Sequence, residues 1–245
     1  MTTGPIWIGP SILSSDLLRL GEQIAVAERA GVDFIHFDVM DGRFVPNITF
    51  GMPVARAVRE ATRLPLDVHL MIVEPEKYVR EFVEAGADTV TIQVEAAVHA
   101  HRTLADIHEM GATPGVALNP GTPLSAVTEL MPFIGNLLIM TVDPGFGGQT
   151  FIPAMLDKVR RARELIDERN PNCRLEIDGG IKASNIGRVV AAGADMFVAG
   201  SSIFDGTDQI AENVTALRRA ASVLAGSDRA DTPNPGEGND RPSVL

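Results

Sequence analysis

Cysteine is almost absent. Cys173 stands alone among 245 residues, so the chain has no internal disulfide to staple its fold. Positive charge is also in deficit. A formal net charge of −11 argues against nucleic acid or an anionic membrane surface as partner, and it poses a question about how any anionic substrate would be held. No apolar run reaches the roughly 18 residues of a membrane span, and no basic start leads into an apolar segment. A reduced, cytoplasmic setting follows as the expectation. The length exceeds the usual single-domain size, but α/β barrels reach it as one domain with an ample core.

Two short segments carry the chemistry: His36-Phe37-Asp38-Val39-Met40 and Asp67-Val68-His69-Leu70-Met71. Successive side chains of a β-strand point to opposite faces, so His36, Asp38 and Met40 share one face, as do Asp67, His69 and Met71. Phe37, Val39, Val68 and Leu70 form opposite faces apolar enough to lie under helices. Imidazoles and carboxylates turned into a buried sheet are costly unless paired or bound to a metal. The pattern therefore marks a site, and a metal site before any other.

A recurring phrase sets the architecture. Ala30-Gly31-Val32-Asp33, Ala85-Gly86-Ala87-Asp88 and Ala192-Gly193-Ala194-Asp195, with a looser Met110-Gly111-Ala112-Thr113, each close an amphipathic stretch and open an apolar run. A glycine just past a helix end, followed by a strand, has this form. The glycines are spaced by 55, 25 and 82 residues, close to two, one and three copies of a unit of about 27. Eight such units reach from Ile6 to near Leu224, which predicts a single-domain (β/α)8 barrel over residues 1–225. Strands are expected at about 6–11, 33–38, 65–70, 88–93, 113–118, 136–141, 174–178 and 195–199. Residues 226–245, rich in Gly, Pro and charge, read as a disordered tail, and residues 1–5 as a short unstructured start.

In a barrel the C-terminal ends of the strands form the active face. Ser11, His36, Asp38, Met40, His69, Met71, Gln93, Glu95, Met140 and Asp178 all fall there. So do three glycine-rich pieces: Pro144-Gly145-Phe146-Gly147-Gly148-Gln149, Asp178-Gly179-Gly180 and Gly200-Ser201-Ser202. Glycines let backbone N–H groups approach an anion, and a helix expected to open at Ile181-Lys182 would add its N-terminus. An acidic chain can bind phosphate in this way without a lysine or arginine in the loops. Asp33, Asp88 and Asp195 begin strands at the other end, where stability is the expected purpose. His99, His101 and His108 lie on a predicted helix and read as solvated or capping residues.

The segments Ser11-Ile12-Leu13-Ser14, His36 through Asn47, Asp67 through Met71, Asp143 through Gln149 and Glu176 through Ile181 together resemble the ribulose-phosphate 3-epimerase family, in the family's order, from about residue 6 to 205. The resemblance implies interconversion of D-ribulose 5-phosphate and D-xylulose 5-phosphate, a phosphorylated ketose substrate, and one divalent cation per subunit (Zn, Fe(II), Mn or Co) on His36, Asp38, His69 and Asp178. It implies proton transfer at C3 by Asp38 and Asp178 through a metal-stabilised enediolate, with Met40, Met71 and Met140 as a water-excluding wall and Ser11 and His69 on substrate hydroxyls. A homo-oligomer in carbohydrate metabolism is implied as well. Gln93 departs from the pattern, standing where the family commonly has histidine.

Other readings remain open at this stage. An allulose 6-phosphate 3-epimerase would share the metal and both aspartates. A barrel lyase with a Schiff-base lysine lacks its residue, because Lys77, Lys158 and Lys182 all lie outside the predicted strands. A non-catalytic sugar-phosphate binder would not need both acid/base groups.

Overall fold

The computed structural model describes residues 4–227. Eight strands form one parallel sheet: β1 (Trp7–Pro10), β2 (Ile35–Met40), β3 (Leu66–Met71), β4 (Thr89–Gln93), β5 (Thr113–Leu118), β6 (Asn136–Met140), β7 (Arg174–Asp178) and β8 (Met196–Ala199). Each lies within two residues of its expected position. The strands neighbour one another in the order β1-β8-β7-β6-β5-β4-β3-β2. A single parallel bridge between Ser11 and His36 brings β1 back to β2 and closes the barrel.

The outward strand faces carry Ile35, Phe37, Val39, Val68 and Leu70 into the main core beneath the helices. The interior holds smaller apolar groups, Phe34 with Met196 and Val198 near one end and Met40 with Met71 and Val45 near the other. Between them lies a polar layer. This division into an outer apolar shell and an inner mixed one follows from the period-two alternation of the strands.

The helices are α1 (Leu20–Arg29), α2 (Met52–Ala61), α3 (Val79–Glu84), α4 (Ala100–Glu109), α5 (Met155–Arg169), α6 (Ile186–Ala191) and α7 (Ile210–Ser227). The eightfold reading needs one correction, because the crossover from β5 to β6 holds only 3-10 turns at Leu124–Ala126 and Thr128–Phe133. Pro120, Pro123 and Pro132 interrupt this stretch, and a proline removes a helical N–H and clashes with the preceding turn. A second correction concerns the helix after β7, which opens at Ile186 and not at Ile181-Lys182. Asn185 explains the delay: its Oδ1 accepts from Lys182 N at 2.9 Å and its Nδ2 donates to Gly180 O at 2.8 Å, locking a turn ahead of the helix. The last helix continues through Gly226 and Ser227, two residues past the expected tail boundary. The remainder of that expected tail, 228–245, and residues 1–3 lie outside the described residues.

The repeated phrase has a common geometry. Gly31, Gly86 and Gly193 take φ of 88°, 105° and 106°, ending each helix with a turn that L side chains rarely adopt. The aspartate two residues on then accepts a backbone N–H from the adjacent strand: Ile8 to Asp33 at 2.7 Å, Leu66 to Asp88 at 2.8 Å and Leu175 to Asp195 at 3.0 Å. Arg218, Arg59 and Arg163 pair with the same three carboxylates at 2.6, 3.0 and 3.4 Å. Thr113 in the looser copy cannot form such a clamp.

Candidate metal centre and active-site cleft

Strands β2 and β3 run in register, with His36 opposite Asp67, Asp38 opposite His69 and Met40 opposite Met71. The alternation therefore stacks all six on the barrel interior. Asp38 Oδ1 lies 3.2 Å from His36 Nε2 and 3.2 Å from His69 Nδ1, while Asp38 Oδ2 accepts from Ser11 Oγ at 2.6 Å. Asp178 approaches from the end of β7, opposite Met140 of β6. Ligand atoms of His36, Asp38, His69 and Asp178 all lie within 4.8 Å of one another. Two imidazole nitrogens and two carboxylate oxygens so gathered fit a divalent transition metal such as zinc, ferrous iron, manganese or cobalt.

Below this cluster the interior stays polar. His36 Nδ1 meets Asp67 Oδ2 at 2.7 Å and Glu176 Oε1 at 3.4 Å, and Asn136 Nδ2 donates to Glu176 Oε2 and to Thr91 Oγ1. His36, Asp67 and Glu176 make a second group of closely placed ligand atoms. A histidine whose outer nitrogen is tied to a carboxylate has its tautomer and ring orientation fixed, as metal-bound imidazoles require.

The acidities are spread far apart. Burial opposes ionisation of Asp38, but the neighbouring His36 and His69 outweigh it and hold its carboxyl below the ordinary carboxylate range. Burial also works against a charged His36, and Asp38 and Asp67 overcome that to raise it well above the usual imidazole value. Asp178 is pushed up to about 8 by burial and by the charge of Asp38. Glu176 rises to about 7 through burial and the neighbouring Asp67. One site thus holds an ionised carboxylate beside a carboxyl that keeps its proton at neutral pH, a pairing that suits acid/base work.

A cleft opens above the four ligands. Ser11, Asp38, Met40, Met71, Met140, Gly145, Phe146, Gly147, Gly148, Asp178, Gly179, Gly180, Gly200 and Ser201 line it, all of them residues expected at the site. His36 and His69 are fully buried and sit behind that lining. Two of the glycine-rich loops meet near one side chain: a Cβ on Gly147 would stand 3.5 Å from Ser14 Oγ, and one on Gly200 only 2.6 Å from it. Gly180 takes φ of +68°, and a Cβ there would lie 2.3 Å from Phe151 N. No larger residue fits.

Sequence reasoning passed over several lining residues, Leu13, Ser14, Val142, Ile181 and Val198 among them. Ser14 stood inside the first motif and Val198 on the inward face of the last strand, so position alone could have found both. Glu95, expected near the site, turns aside: it follows β4 in a 3-10 turn, and its Oε1 accepts from Asn119 N at 2.8 Å. Its carboxylate is used by the neighbouring loop.

Residues 7–204 match the ribulose-phosphate 3 epimerase family. The chain belongs to that family. A ribulose-phosphate 3-epimerase of Synechocystis sp. is 50% identical over 217 residues, covering 88% of this chain and 94% of the relative. One from Escherichia coli (strain K12) is 51% identical over 202 residues, 82% of this chain and 90% of the relative. Among solved structures, a 3-keto-L-gulonate-6-phosphate decarboxylase from Vibrio cholerae aligns with a TM-score of 0.67 at 17% identity, covering 91% of this chain and 99% of that one, a likeness of barrel fold alone. The epimerase family membership makes this chain an isomerase of carbohydrate metabolism on a (β/α)8 barrel. Among the described residues no helix is long and apolar enough to cross a membrane.

Proposed function

We propose that the chain interconverts D-ribulose 5-phosphate and D-xylulose 5-phosphate by two-aspartate proton transfer at C3, with one divalent cation on His36, Asp38, His69 and Asp178. The observation that carries this reading is the pairing of Asp38 and Asp178, two carboxyl groups brought from β2 and β7 to one cleft. Inversion at C3 needs a group to remove the proton on one face and another to return it on the opposite face. One aspartate takes the proton while the other supplies one, and the roles of Asp38 and Asp178 exchange in reverse. A carboxylate has two oxygens, so each aspartate can keep one for the proton while offering the other to a cation.

When bound, a cation there supplies Lewis acidity to the substrate's C2 and C3 oxygens, which eases loss of the C3 proton and steadies the enediolate. Ser11 orients Asp38 through the 2.6 Å hydrogen bond. Met40, Met71 and Met140 present polarizable, water-excluding surface to the reacting carbons. Gly145, Gly147, Gly148, Gly179, Gly180, Gly200 and Ser201 give the substrate phosphate backbone N–H groups with no need of a basic side chain. Phe146 lines the cleft with more than half of its surface exposed.

Cys173, buried and thus shielded from exchange, suits a cytoplasmic enzyme. The exposed side chains of Leu18, Ile48 and Val98 offer apolar surface for a homo-oligomer. A lysine-dependent lyase reading finds no support, since Lys158 lies on α5 and donates to the carbonyls of Asn119 and Thr122 at 2.6 Å each. The test is incubation with D-ribulose 5-phosphate in deuterated water, followed at C3 by NMR beside Asp178→Asn. Deuterium at C3 with xylulose 5-phosphate from the parent alone is the expected result. Absence of both, with cation bound, overturns the pentulose reading and moves the assay to hexulose phosphates.

A further inference from the structure

Both ring nitrogens of His69 have partners. Nδ1 faces Asp38 Oδ1 at 3.2 Å, on the side where the four candidate ligands converge, and Nε2 stands 3.0 Å from the carboxamide nitrogen of Gln93. His69 and Gln93 are fully buried, so water cannot replace either partner. One polar atom of the pair is left over: Gln93 Oε1 is buried without a hydrogen-bond partner.

A neutral imidazole carries one N–H and one lone pair. Facing the NH2 group of Gln93, Nε2 would keep the lone pair and Nδ1 the proton, an arrangement that leaves Oε1 without a partner. A cation at Nδ1 needs the other tautomer, in which Nε2 carries the proton and requires an acceptor. A half-turn of the carboxamide about its last torsion, which is soft and roughly two-fold, exchanges its oxygen and nitrogen and sets Oε1 against Nε2–H. That turn gives the orphaned oxygen a partner. His36 meets the same requirement through a different group, the Asp67 carboxylate at its Nδ1.

We propose that Gln93 is a positioning residue for His69, whose carboxamide oxygen accepts from Nε2–H and so selects the imidazole tautomer that turns the Nδ1 lone pair toward the cation site. This inference rests on the metal-binding reading above. Asp67 and Gln93 thus hold the two imidazoles in the same sense, one with a charged acceptor and the other with a neutral group that can also donate. Residues that tie down the outer nitrogen of a metal-bound histidine typically change affinity 10–100-fold when removed.

The test is the tautomer of His69 in the 15N-labelled protein, read from long-range 1H–15N correlations with and without Zn2+, together with Zn2+ affinity by chelator competition in the parent, Gln93→Leu, Gln93→Glu and His69→Ala. The expected result is a proton on Nε2 in the Zn2+-loaded protein. Affinity falls about 10–100-fold in Gln93→Leu and returns in Gln93→Glu, which keeps an acceptor. A proton left on Nδ1 in the Zn2+-loaded parent, or Gln93→Leu binding as tightly as the parent while His69→Ala does not, overturns the role of Gln93 and leaves the metal reading standing. A parent that binds no stoichiometric Zn2+ overturns both. Should Gln93→Leu fail to fold, the parent spectra alone decide.

Discussion

Asp178 and Asp38 offer carboxylate oxygens within 4.8 Å of each other, yet burial and the Asp38 charge lift Asp178 to about 8 while His36 and His69 hold Asp38 low. Two groups so close cannot both be bare carboxylates without a nearby positive charge. In the cation-free protein His36 provides that charge, and Asp178 stays protonated.

Cation binding therefore displaces protons. Asp178 titrates near 8 in the fold, against the roughly 3.9 of an unfolded aspartate, so between these values the folded chain holds a proton that the unfolded chain has lost. Through this group, stability of the cation-free protein falls as pH rises across that window. Zn2+ affinity must rise across the same range, because ligands bind deprotonated. Calorimetry in buffers of different ionisation heat should show net proton release on binding at pH 7 that shrinks as pH rises through 8. A pH-independent affinity between 6 and 8 would contradict this account.

Gly180→Ala should damage the cleft more than the barrel. The substitution places a Cβ 2.3 Å from Phe151 N at a φ of +68°, and since the obstacle is backbone, the loop has to move. Steady-state kinetics should show KM for the phosphorylated substrate raised about tenfold or more, equivalent to at least about 1.4 kcal/mol of lost binding. Unfolding midpoints should shift much less, because Gly180 lies beyond the end of β7.

Asp195→Ala should do the reverse. It strips the acceptor from Leu175 N at the start of β7 and leaves Arg163 without one of its carboxylates. The cost is about 1–3 kcal/mol, measurable as a lower urea midpoint. Turnover at saturating substrate should be unchanged, since Asp178 lies at the other end of the same strand.

Much of this was legible in the chain. The alternation around His36 and His69 put the right side chains on one face because a strand leaves no other choice, and the Ala-Gly-x-Asp phrase located the helix ends because its glycines adopt a conformation few other residues do. The missing helix between β5 and β6 was signalled by Pro120, Pro123 and Pro132 but hidden by the regular spacing of the repeat. The polar floor was harder. Thr91, Gln93, Asn136 and Glu176 alternate with apolar residues along β4, β6 and β7, and only the closing of the barrel brings them against one another and against His69. Long-range register of this kind has no local sequence signature.

The barrel carries at its seam one β-bridge, between Ser11 and His36, and one further backbone hydrogen bond, from Asp33 N to Ile8 O at 2.9 Å, where other neighbouring strands share three to six paired residues. Ser11 reinforces that joint by its side chain, gripping the Asp38 carboxylate. A cation gripped by β2, β3 and β7 would act as a clasp over this gap, linking one flank of the seam to a strand beyond β8 on the other. The place where the cylinder is least stitched is thus where a ligand can tighten it most. Amide exchange in β1 should accordingly slow on loading, turning the reaction centre into a lock for the whole wall.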